Sequence, residues 1–162
     1  MEMNMKPLDK AVIAHSVGVA EFMAEWATTH RTKYCFNPCH CYVLGLLHDI
    51  GKLCPNDTPD GKGRYKGHAR KGGELLEEMG FYKYREVMHH GHPEEKYYSV
   101  LLSILNMADL SVNGKGERVS VNDRLAGIRK RYGEDSDEYR RAATIVRHLK
   151  EERFLSDDGQ VL

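Results

Sequence analysis

Apolar residues along the chain recur at steps of three and four, which predicts amphipathic α-helices, and strand-like alternation is nearly absent. The first apolar stripe predicts a helix that contains Leu8, Val12, His15, Val19, Phe22, Met23 and Trp26. Pro38 and the apolar run after it predict a second helix over residues 39–53. The expected core residues of this second helix are Val43, Leu46, Leu47 and Ile50.

Further helices, separated by turn-forming residues, are predicted for the rest of the chain. Proline, glycine and aspartate in residues 55–67 indicate a loop. Three helices are then expected, at residues 68–79, 82–90 and 96–110. Ser120 and Ser136 are typical helix N-caps and predict two more helices, the first of which ends at Tyr132. The prediction is an all-α, single-domain helical bundle over residues 1–162, a length of about one domain.

The net charge of the chain is zero, because 24 basic residues balance 24 acidic ones. Such a balance is not typical of proteins that bind nucleic acids or anionic membranes, so we expect no stable nucleic-acid binding. No apolar run approaches the roughly 18 residues of a membrane-spanning helix, and the N-terminus lacks the apolar segment of a signal peptide. We therefore expect a cytoplasmic protein without membrane contact, with four free cysteines. Homo-oligomer formation is left open.

Two polar side chains lie on apolar stripes of predicted helices. His15 is in register with Val12 and Val19, so its ring is expected to point inward, either as a core histidine or as a ligand. Asp109 shares a face with Leu105, and a carboxylate in such a position needs a cation or a hydrogen-bond donor. Both residues are therefore candidates for a polar site inside the bundle.

The pair His48–Asp49 ends an apolar run and is followed by Gly51, a residue type that suits helix ends. Two adjacent side chains at a helix end can converge on one point; alternatively, they merely favour the turn. Together with the histidine and the aspartate on the other helices they would form a metal site. Imidazole and carboxylate ligands suit Mn, Fe and Zn, and carboxylate with water also admits Mg. The cysteine-rich segment 35–41 does not match the spacing of a standard zinc finger.

Three motifs together resemble the HD superfamily of metal-dependent phosphohydrolases: LLHDIGK, HSVGVA upstream of it and NMADLS downstream of it. The recognisable core covers about residues 8–110, and residues 111–162 are then a C-terminal helical extension. The resemblance implies an HD-type helical bundle with a metal ion inside it. The ligands that it implies for this ion are His15, His48, Asp49 and Asp109.

A second metal ion is implied by the resemblance to dinuclear members of the superfamily. His68 begins the segment HARKG, which is similar to their H-x-x-x-G pattern, and either His89 or His90 is the other expected ligand. Asp49 would bridge the two ions. Alternatively, His68 contacts a phosphate or caps a helix, and the HHGH cluster is a solvated turn. The expected cofactor is one or two divalent transition metals, Fe or Mn, with Zn, Ni, Co and Mg as alternatives.

Basic residues near these ligands are candidate contacts for a substrate phosphate. Lys52 directly follows the HDIG turn, and the corresponding lysine of many relatives approaches the phosphate, so Lys52 and Asp49 are the expected catalytic residues. The segment 60–71 contains five basic residues against one acidic residue. Its candidate phosphate contacts are Arg64, Lys66, Arg70 and Lys71. The alternative for Lys52 and for this segment is an ordinary solvated surface.

The resemblance implies that the chain hydrolyses a phosphoanhydride or phosphodiester bond. A metal-activated water would attack phosphorus in a nucleotide, dinucleotide or cyclic nucleotide, so the expected partner is a small phosphorylated molecule. Two other functions stay open. Some HD-fold proteins hold mixed-valent di-iron and oxidise a C–H bond with oxygen, and a non-catalytic module would bind a nucleotide at an intact metal site.

Overall fold

The computed structural model describes residues 7–54, 60–61 and 65–162. In these ranges the chain forms seven α-helices and a short 3-10 helix, and no strand. The α-helices are α1 (Pro7–Thr29), α2 (Pro38–Leu47), α3 (His68–Glu78), α4 (Tyr84–His89), α5 (Val100–Asp109), α6 (Val121–Tyr132) and α7 (Asp137–Glu151). The 3-10 helix, Ile50–Leu53, lies between α2 and α3. The predicted all-α fold class is confirmed.

Polar side chains explain where several of these helices begin. The Asn37 side chain accepts a hydrogen bond from the backbone N–H of Cys39 at 2.8 Å, and Pro38 occupies the first turn of α2. Ser120 Oγ accepts a hydrogen bond from the backbone N–H three residues later at 3.0 Å, and Ser136 Oγ does the same at 3.2 Å. The two serine N-caps that the sequence predicts are therefore confirmed.

Helix α1 packs against α2 and α5, and α7 packs against the other side of this core. The largest fully buried apolar side chains include Met23, Leu44, Leu76, Ile104, Leu105, Met107, Leu149 and Leu155. Helices α1 and α2 come unusually close at Gly45, where an added Cβ would lie only 2.7 Å from the Cα of Ala20. Glycine at this position lets the end of α2 lie directly against α1.

The second helix ends earlier than the sequence predicts. Helix α2 ends at Leu47, and the 3-10 helix replaces the remainder of the helix expected over residues 39–53. The His48 ring lies with Nδ1 2.6 Å from the carbonyl oxygen of Gly45, and the backbone of Asp49 (φ −104°, ψ 17°) leaves the α-helical region. The predicted end at residue 53 is therefore wrong, and the chain turns at the HD pair itself.

The inward face of α2 also differs from the predicted one. Cys41 and Leu44 are buried, whereas the predicted core residues Val43 and Leu46 are 40% and 38% exposed. Cys41, Leu44 and His48 share one helix face, because they are spaced three and four residues apart. Val43 and Leu46 therefore lie on the outer face of the helix. The other two predicted core residues are half-buried against the core.

The fifth helix begins at Val100 rather than near residue 96, because Ser99 is its N-cap. The Ser99 side chain accepts a hydrogen bond from the backbone N–H of Leu102 at 2.9 Å. The hydroxyl groups of Tyr97 and Ser99 donate to the carboxylate of Glu86, each at 3.1 Å, and Glu86 is buried. A buried carboxylate needs donors, and these two bonds hold the residues before α5 outside the helix.

The C-terminal part of the chain completes the bundle. Helices α6 and α7 pack against each other, and α7 also packs against α5. The buried residues of α7 are Ala142, Ile145, Val146 and Leu149. After α7 the chain returns to the core, where Phe154 and Leu155 are buried. Residues 111–162 therefore form part of the same packed unit as the preceding helices.

We predict that Gly51→Ala destabilises the fold. A Cβ at Gly51 would overlap the backbone carbonyl oxygen of His68, where the 3-10 helix lies against the start of α3. Backbone cannot move aside as a side chain can, so the free energy of unfolding should fall by about 1–3 kcal/mol. Urea unfolding followed by circular dichroism measures this change. The matched control is Gly114→Ala, where an added Cβ meets no described atom within 4 Å. Equal midpoints for the two variants would contradict the prediction.

Candidate metal centre

Six side chains that are far apart in the sequence converge at one place in the bundle. They come from α1, the turn after α2, the start of α3, the residue after α4 and the end of α5. They are His15, His48, Asp49, His68, His90 and Asp109. Their ligand atoms form three overlapping groups, and within each group the atoms lie within 4.8 Å of one another. The structure thus brings together six of the seven residues that the sequence suggests as ligands.

The two carboxylate oxygens of Asp49 face two different pairs of histidines. Oδ2 lies 3.3 Å from His48 Nε2 and 3.9 Å from His15 Nε2. Oδ1 lies 3.2 Å from His68 Nε2 and 3.3 Å from His90 Nε2. Asp49 is 2% exposed, so its charge needs nearby positive charge. A carboxylate that divides its oxygens in this way is arranged to bridge two cations.

Asp109 lies beside His15 and His48, the pair of histidines that faces Asp49 Oδ2. Its Oδ1 lies 2.8 Å from His15 Nε2 and 3.6 Å from His48 Nε2. The side chain of Asp109 is 27% exposed, whereas that of Asp49 is almost fully enclosed. The first pair of histidines therefore lies between two carboxylates, one of which can be reached from solvent.

Backbone carbonyl groups orient all four imidazole rings. The Nδ1 atoms of His15, His48, His68 and His90 lie near the carbonyl oxygens of Asn113, Gly45, Tyr65 and Val87, respectively. The distances are 3.0, 2.6, 3.0 and 2.6 Å. Because a carbonyl oxygen only accepts, each Nδ1 donates, and Nε2 is the ring atom that each histidine turns toward the carboxylates. Metal-binding histidines are typically held in this way.

Two further observations show that these residues fit a metal ion. His48 Nε2 is buried and has no hydrogen-bond partner among the described residues. The Nε2 atoms of His68 and His90 lie 3.3 Å apart, and both face Asp49 Oδ1. A cation would satisfy the first atom and stabilise the second contact. Imidazole and carboxylate are ligands that divalent Mn, Fe and Zn accept.

The carboxylates create a strong preference for positive charge at this site. Burial alone would lower the pKa of His48, but the charges of Asp49 and Asp109 outweigh it and raise that pKa to about 10. Burial likewise opposes ionisation of Asp49 and Asp109, yet their histidine neighbours, and for Asp49 also Lys52, hold each pKa well below its usual range. A proton and a metal ion would therefore compete for His48 Nε2.

Lys52 and His68 lie at the edge of the cluster. The Lys52 Nζ atom is 3.0 Å from Asp49 Oδ2. Burial would lower the pKa of Lys52, but Asp49 and Asp109 outweigh burial and raise it, so this lysine keeps its charge. Burial lowers the pKa of His68, and the carboxylate of Asp49 offsets this only in part, which favours the neutral ring that binds metals.

A cleft of about 440 Å³ opens over the cluster. His15, Asp49, His68, His90 and Asp109 line one end of it, together with Lys52. Helices α6 and α7 supply the facing wall. The volume lies in the range of small-molecule sites, and the cluster is at its floor.

His89 lies outside the cluster, although the sequence indicates either His89 or His90 as a ligand. Its Nδ1 is 2.7 Å from a carboxylate oxygen of Glu95, and its ring stacks on Tyr97 with centroids 4.8 Å apart. His89 is the last residue of α4, whereas the chain is extended at His90, so the two adjacent rings point in different directions. The structure selects His90.

The basic segment before and within α3 does not take the position that the sequence suggests. Lys66, Arg70 and Lys71 are exposed, and none of them lines the cleft in the described part of the chain. The Arg70 side chain instead approaches Glu74, at 4.0 Å. Arg70, two residues after His68, lies on the opposite side of α3 from His68. Arg64 lies outside the described residues.

The arginines that do line the cleft come from the C-terminal helices and were not predicted. They are Arg124 and Arg131 on α6 and Arg141 on α7. A signal was present in the sequence, because Arg124 and Arg131 are seven residues apart and therefore share a helix face. What the sequence did not indicate is that this face closes over the cluster.

The four cysteines are free thiols, as predicted, and the metal-ligand groups found among the described residues contain none of them. Cys41 is buried, and burial, opposed only by the charge of Lys83, raises the pKa of its thiol to about 11. A protonated buried thiol is a poor metal ligand. The cluster is therefore built from imidazole and carboxylate alone.

Comparison with protein families places the chain in a known group. The model of the HD domain matches residues 12–145, and the chain belongs to the HD-domain family. This match continues beyond the core expected at about residues 8–110 and includes α6 and part of α7. HD domains bind divalent metals, and the family consists in general of hydrolases. No curated protein and no solved structure matches the chain significantly.

Among the described residues, none of the helices combines the length and the apolar character that crossing a membrane requires.

We predict that His90→Ala and His89→Ala have different effects on metal content. His90→Ala removes a ligand from the group around Asp49 Oδ1, so metal content should fall from about two ions per chain to about one. His89→Ala removes a ring that lies outside the cluster and should leave metal content unchanged. Elemental analysis of protein prepared with iron or manganese measures both.

Circular dichroism of both variants serves as the control for folding, because His90 is buried. Loss of an ion in His89→Ala, or an unchanged metal content in folded His90→Ala, would contradict the assignment.

Proposed function

We propose that the protein is a metal-dependent phosphohydrolase that acts on a nucleotide, dinucleotide or cyclic nucleotide. The observation that carries this proposal is the division of Asp49 between two pairs of histidines. Two cations bridged by one carboxylate are the arrangement that many phosphoryl-transfer enzymes use. The substrate would be a small phosphorylated molecule in the cytoplasm rather than a nucleic acid.

The first ion would be held by His15, His48, Asp109 and Asp49 Oδ2, and the second by His68, His90 and Asp49 Oδ1. Divalent ions held by these residues would supply Lewis-acid chemistry for the activation of water and the polarisation of a phosphoryl group. Fe and Mn fit the ligand set best, with Zn, Ni, Co and Mg as alternatives.

The residues of the chain would position the reactants and stabilise charge. Asp49 keeps its carboxylate ionised, and its two oxygens lie between the two pairs of histidines. Lys52 is one-quarter exposed toward the cleft, so its ammonium group can contact Asp49 and a phosphate oxygen at once. As charge grows on the phosphoryl oxygens, this preorganised cation would stabilise it.

The character of the cleft favours an anionic substrate. Lys52 and three arginines line it, and an anionic substrate would be attracted to them. A di-iron oxygenase with an anionic substrate would share this lining, and so oxygen uptake has to separate it from the phosphohydrolase. A non-catalytic nucleotide-binding module would share the cations, and so turnover has to separate it from the enzyme.

We predict that the protein loaded with manganese or iron releases phosphate or a nucleoside monophosphate from members of a nucleotide panel. Lys52→Ala should lower kcat/KM about ten- to hundredfold, because one charge-assisted hydrogen bond to the phosphoryl group is lost. Its metal content should stay unchanged. The matched control is Lys66→Ala, which changes an exposed lysine outside the cleft. Phosphate assay and chromatography measure the products.

Three other results would count against the proposal. Oxygen uptake by the iron-loaded protein without phosphate release would favour the oxygenase. Nucleotide binding without turnover would favour the non-catalytic module. Full activity in Lys52→Ala would remove Lys52 from the mechanism.

A further inference from the structure

Asn106 is a polar residue of α5 that lies one turn before the ligand Asp109. Residues three apart share a helix face, so the two polar side chains lie on the same side of α5. The neighbours of Asn106 in the chain, Leu105 and Met107, are apolar and fully buried, whereas Asn106 is half-buried and lines the cleft over the metal cluster. An amide in such surroundings needs a polar partner.

The partner of Asn106 is the backbone of the turn that follows the ligand His90. Asn106 Oδ1 accepts a hydrogen bond from the N–H of Gly91 at 2.9 Å. Gly91 has a φ of 76°, a left-handed conformation that glycine adopts readily, and the N–H of His92 donates to the carbonyl oxygen of His89 at 3.2 Å. Because this turn begins directly after His90, the bond from Asn106 holds the chain at the point where that histidine leaves α4.

The other hydrogen bonds of His90 join it to α4. Its Nδ1 donates to the carbonyl oxygen of Val87 at 2.6 Å, and its backbone N–H donates to the same oxygen at 3.4 Å. The bond between Gly91 and Asn106 differs from these, because it joins the end of α4 to a helix 15 residues further along the chain. It is therefore a polar contact that fixes the position of His90 relative to α5.

Through this contact α5 reaches both halves of the metal centre. Asp109 lies beside the histidines that face Asp49 Oδ2, whereas His90 faces Asp49 Oδ1. Helix α5 thus carries a ligand of the first ion and, through Asn106, holds in place a ligand of the second. A side chain that is already fixed loses less conformational freedom when it binds, so such outer contacts strengthen metal binding.

We propose that Asn106 is a positioning residue for the second metal ion and that its bond to Gly91 sets the affinity of the half-site to which His90 belongs. Asn106 does not touch the ion and acts through His90. The proposal rests on the two-metal site of the phosphohydrolase proposed above, but it depends neither on the substrate nor on turnover. Loss of an outer partner of a metal ligand typically weakens metal binding ten- to hundredfold. This weakening should fall on the second ion.

The first test is a titration of metal-free protein with Mn²⁺, followed by electron paramagnetic resonance. The spectra separate the free ion, a single bound ion and an exchange-coupled pair, and so give a dissociation constant for each ion. The ratio of the second constant to the first should rise ten- to hundredfold in Asn106→Ala. It should return toward the wild-type value in Asn106→Asp, because the carboxylate can accept the same bond. The ratio is used because the added charge of aspartate would strengthen the binding of both ions.

The matched control is Asn122→Ala. The Nδ2 atom of Asn122 donates to the carbonyl oxygen of Asp158 at 2.8 Å, so this residue also ties a helix to a distant turn, but it does not line the cleft over the cluster. Its ratio should equal that of the wild type, and circular dichroism checks that each variant is folded. An unchanged ratio in Asn106→Ala, a ratio that stays raised in Asn106→Asp, or an equal rise in Asn122→Ala would overturn the proposal. A wild type that binds fewer than two ions would also overturn it.

The second test uses the wild-type protein, so it decides the matter even if Asn106→Ala does not fold. Coupling between two binding events is reciprocal, and a bond that favours the second ion is therefore strengthened when that ion binds. Amide hydrogen exchange is measured by NMR with one and with two Zn²⁺ per chain. Exchange at the Gly91 N–H should slow at least tenfold more than at the Cys39 N–H. The Cys39 amide bonds the side chain of Asn37 at 2.8 Å, at the opposite end of α2 from His48. Equal slowing at the two amides would refute the role of Asn106.

Both tests use the metal alone, which keeps this proposal separate from the proposed function. A metal-loaded protein that hydrolyses no nucleotide refutes the phosphohydrolase, whereas the role of Asn106 is then judged on the ratio of the dissociation constants and on the exchange of the Gly91 amide.

Discussion

A single buried carboxylate sets the requirements for the rest of this bundle. Asp49 is almost completely enclosed, and each of its oxygens faces two imidazole nitrogens. Burying a charge is unfavourable unless opposite charge is close by. The protein meets this requirement with histidines from four separate segments and with Lys52, and a pair of divalent cations would meet it more fully.

The backbone is arranged to direct those histidines. Helix α2 ends just before His48, so the ring can bond the carbonyl of Gly45 while Asp49 turns the other way. His90 stands at the equivalent place after α4 and bonds the carbonyl of Val87. At each of these helix ends a backbone carbonyl thus holds Nδ1 in place, and Nε2 is turned toward Asp49. The close approach at Gly51 holds the start of α3 near enough for His68 to join them.

Much of the fold could be predicted from the sequence, because helix periodicity and serine N-caps depend on local chemistry, whereas the full set of metal ligands was implied by the resemblance of three motifs to the HD superfamily. The choice between His89 and His90 could not, since adjacent residues at a helix end diverge according to where the helix ends. The basic segment around Arg70 was wrongly favoured because nearness in sequence to His68 does not determine which helix face is turned to the cleft. Arg131 and Arg141 were missed because their position in the cleft depends on how α6 and α7 pack.

X-ray absorption spectroscopy at the edge of the bound metal tests the central claim most directly, because it reports the atoms around the ions. The structure predicts a shell of nitrogen and oxygen with about two imidazoles per ion, and metal–metal scattering at about 3.5–4 Å. Sulfur in the shell would implicate the cysteines and contradict the site. A shell of oxygen alone would show that the four oriented histidines do not bind the metal.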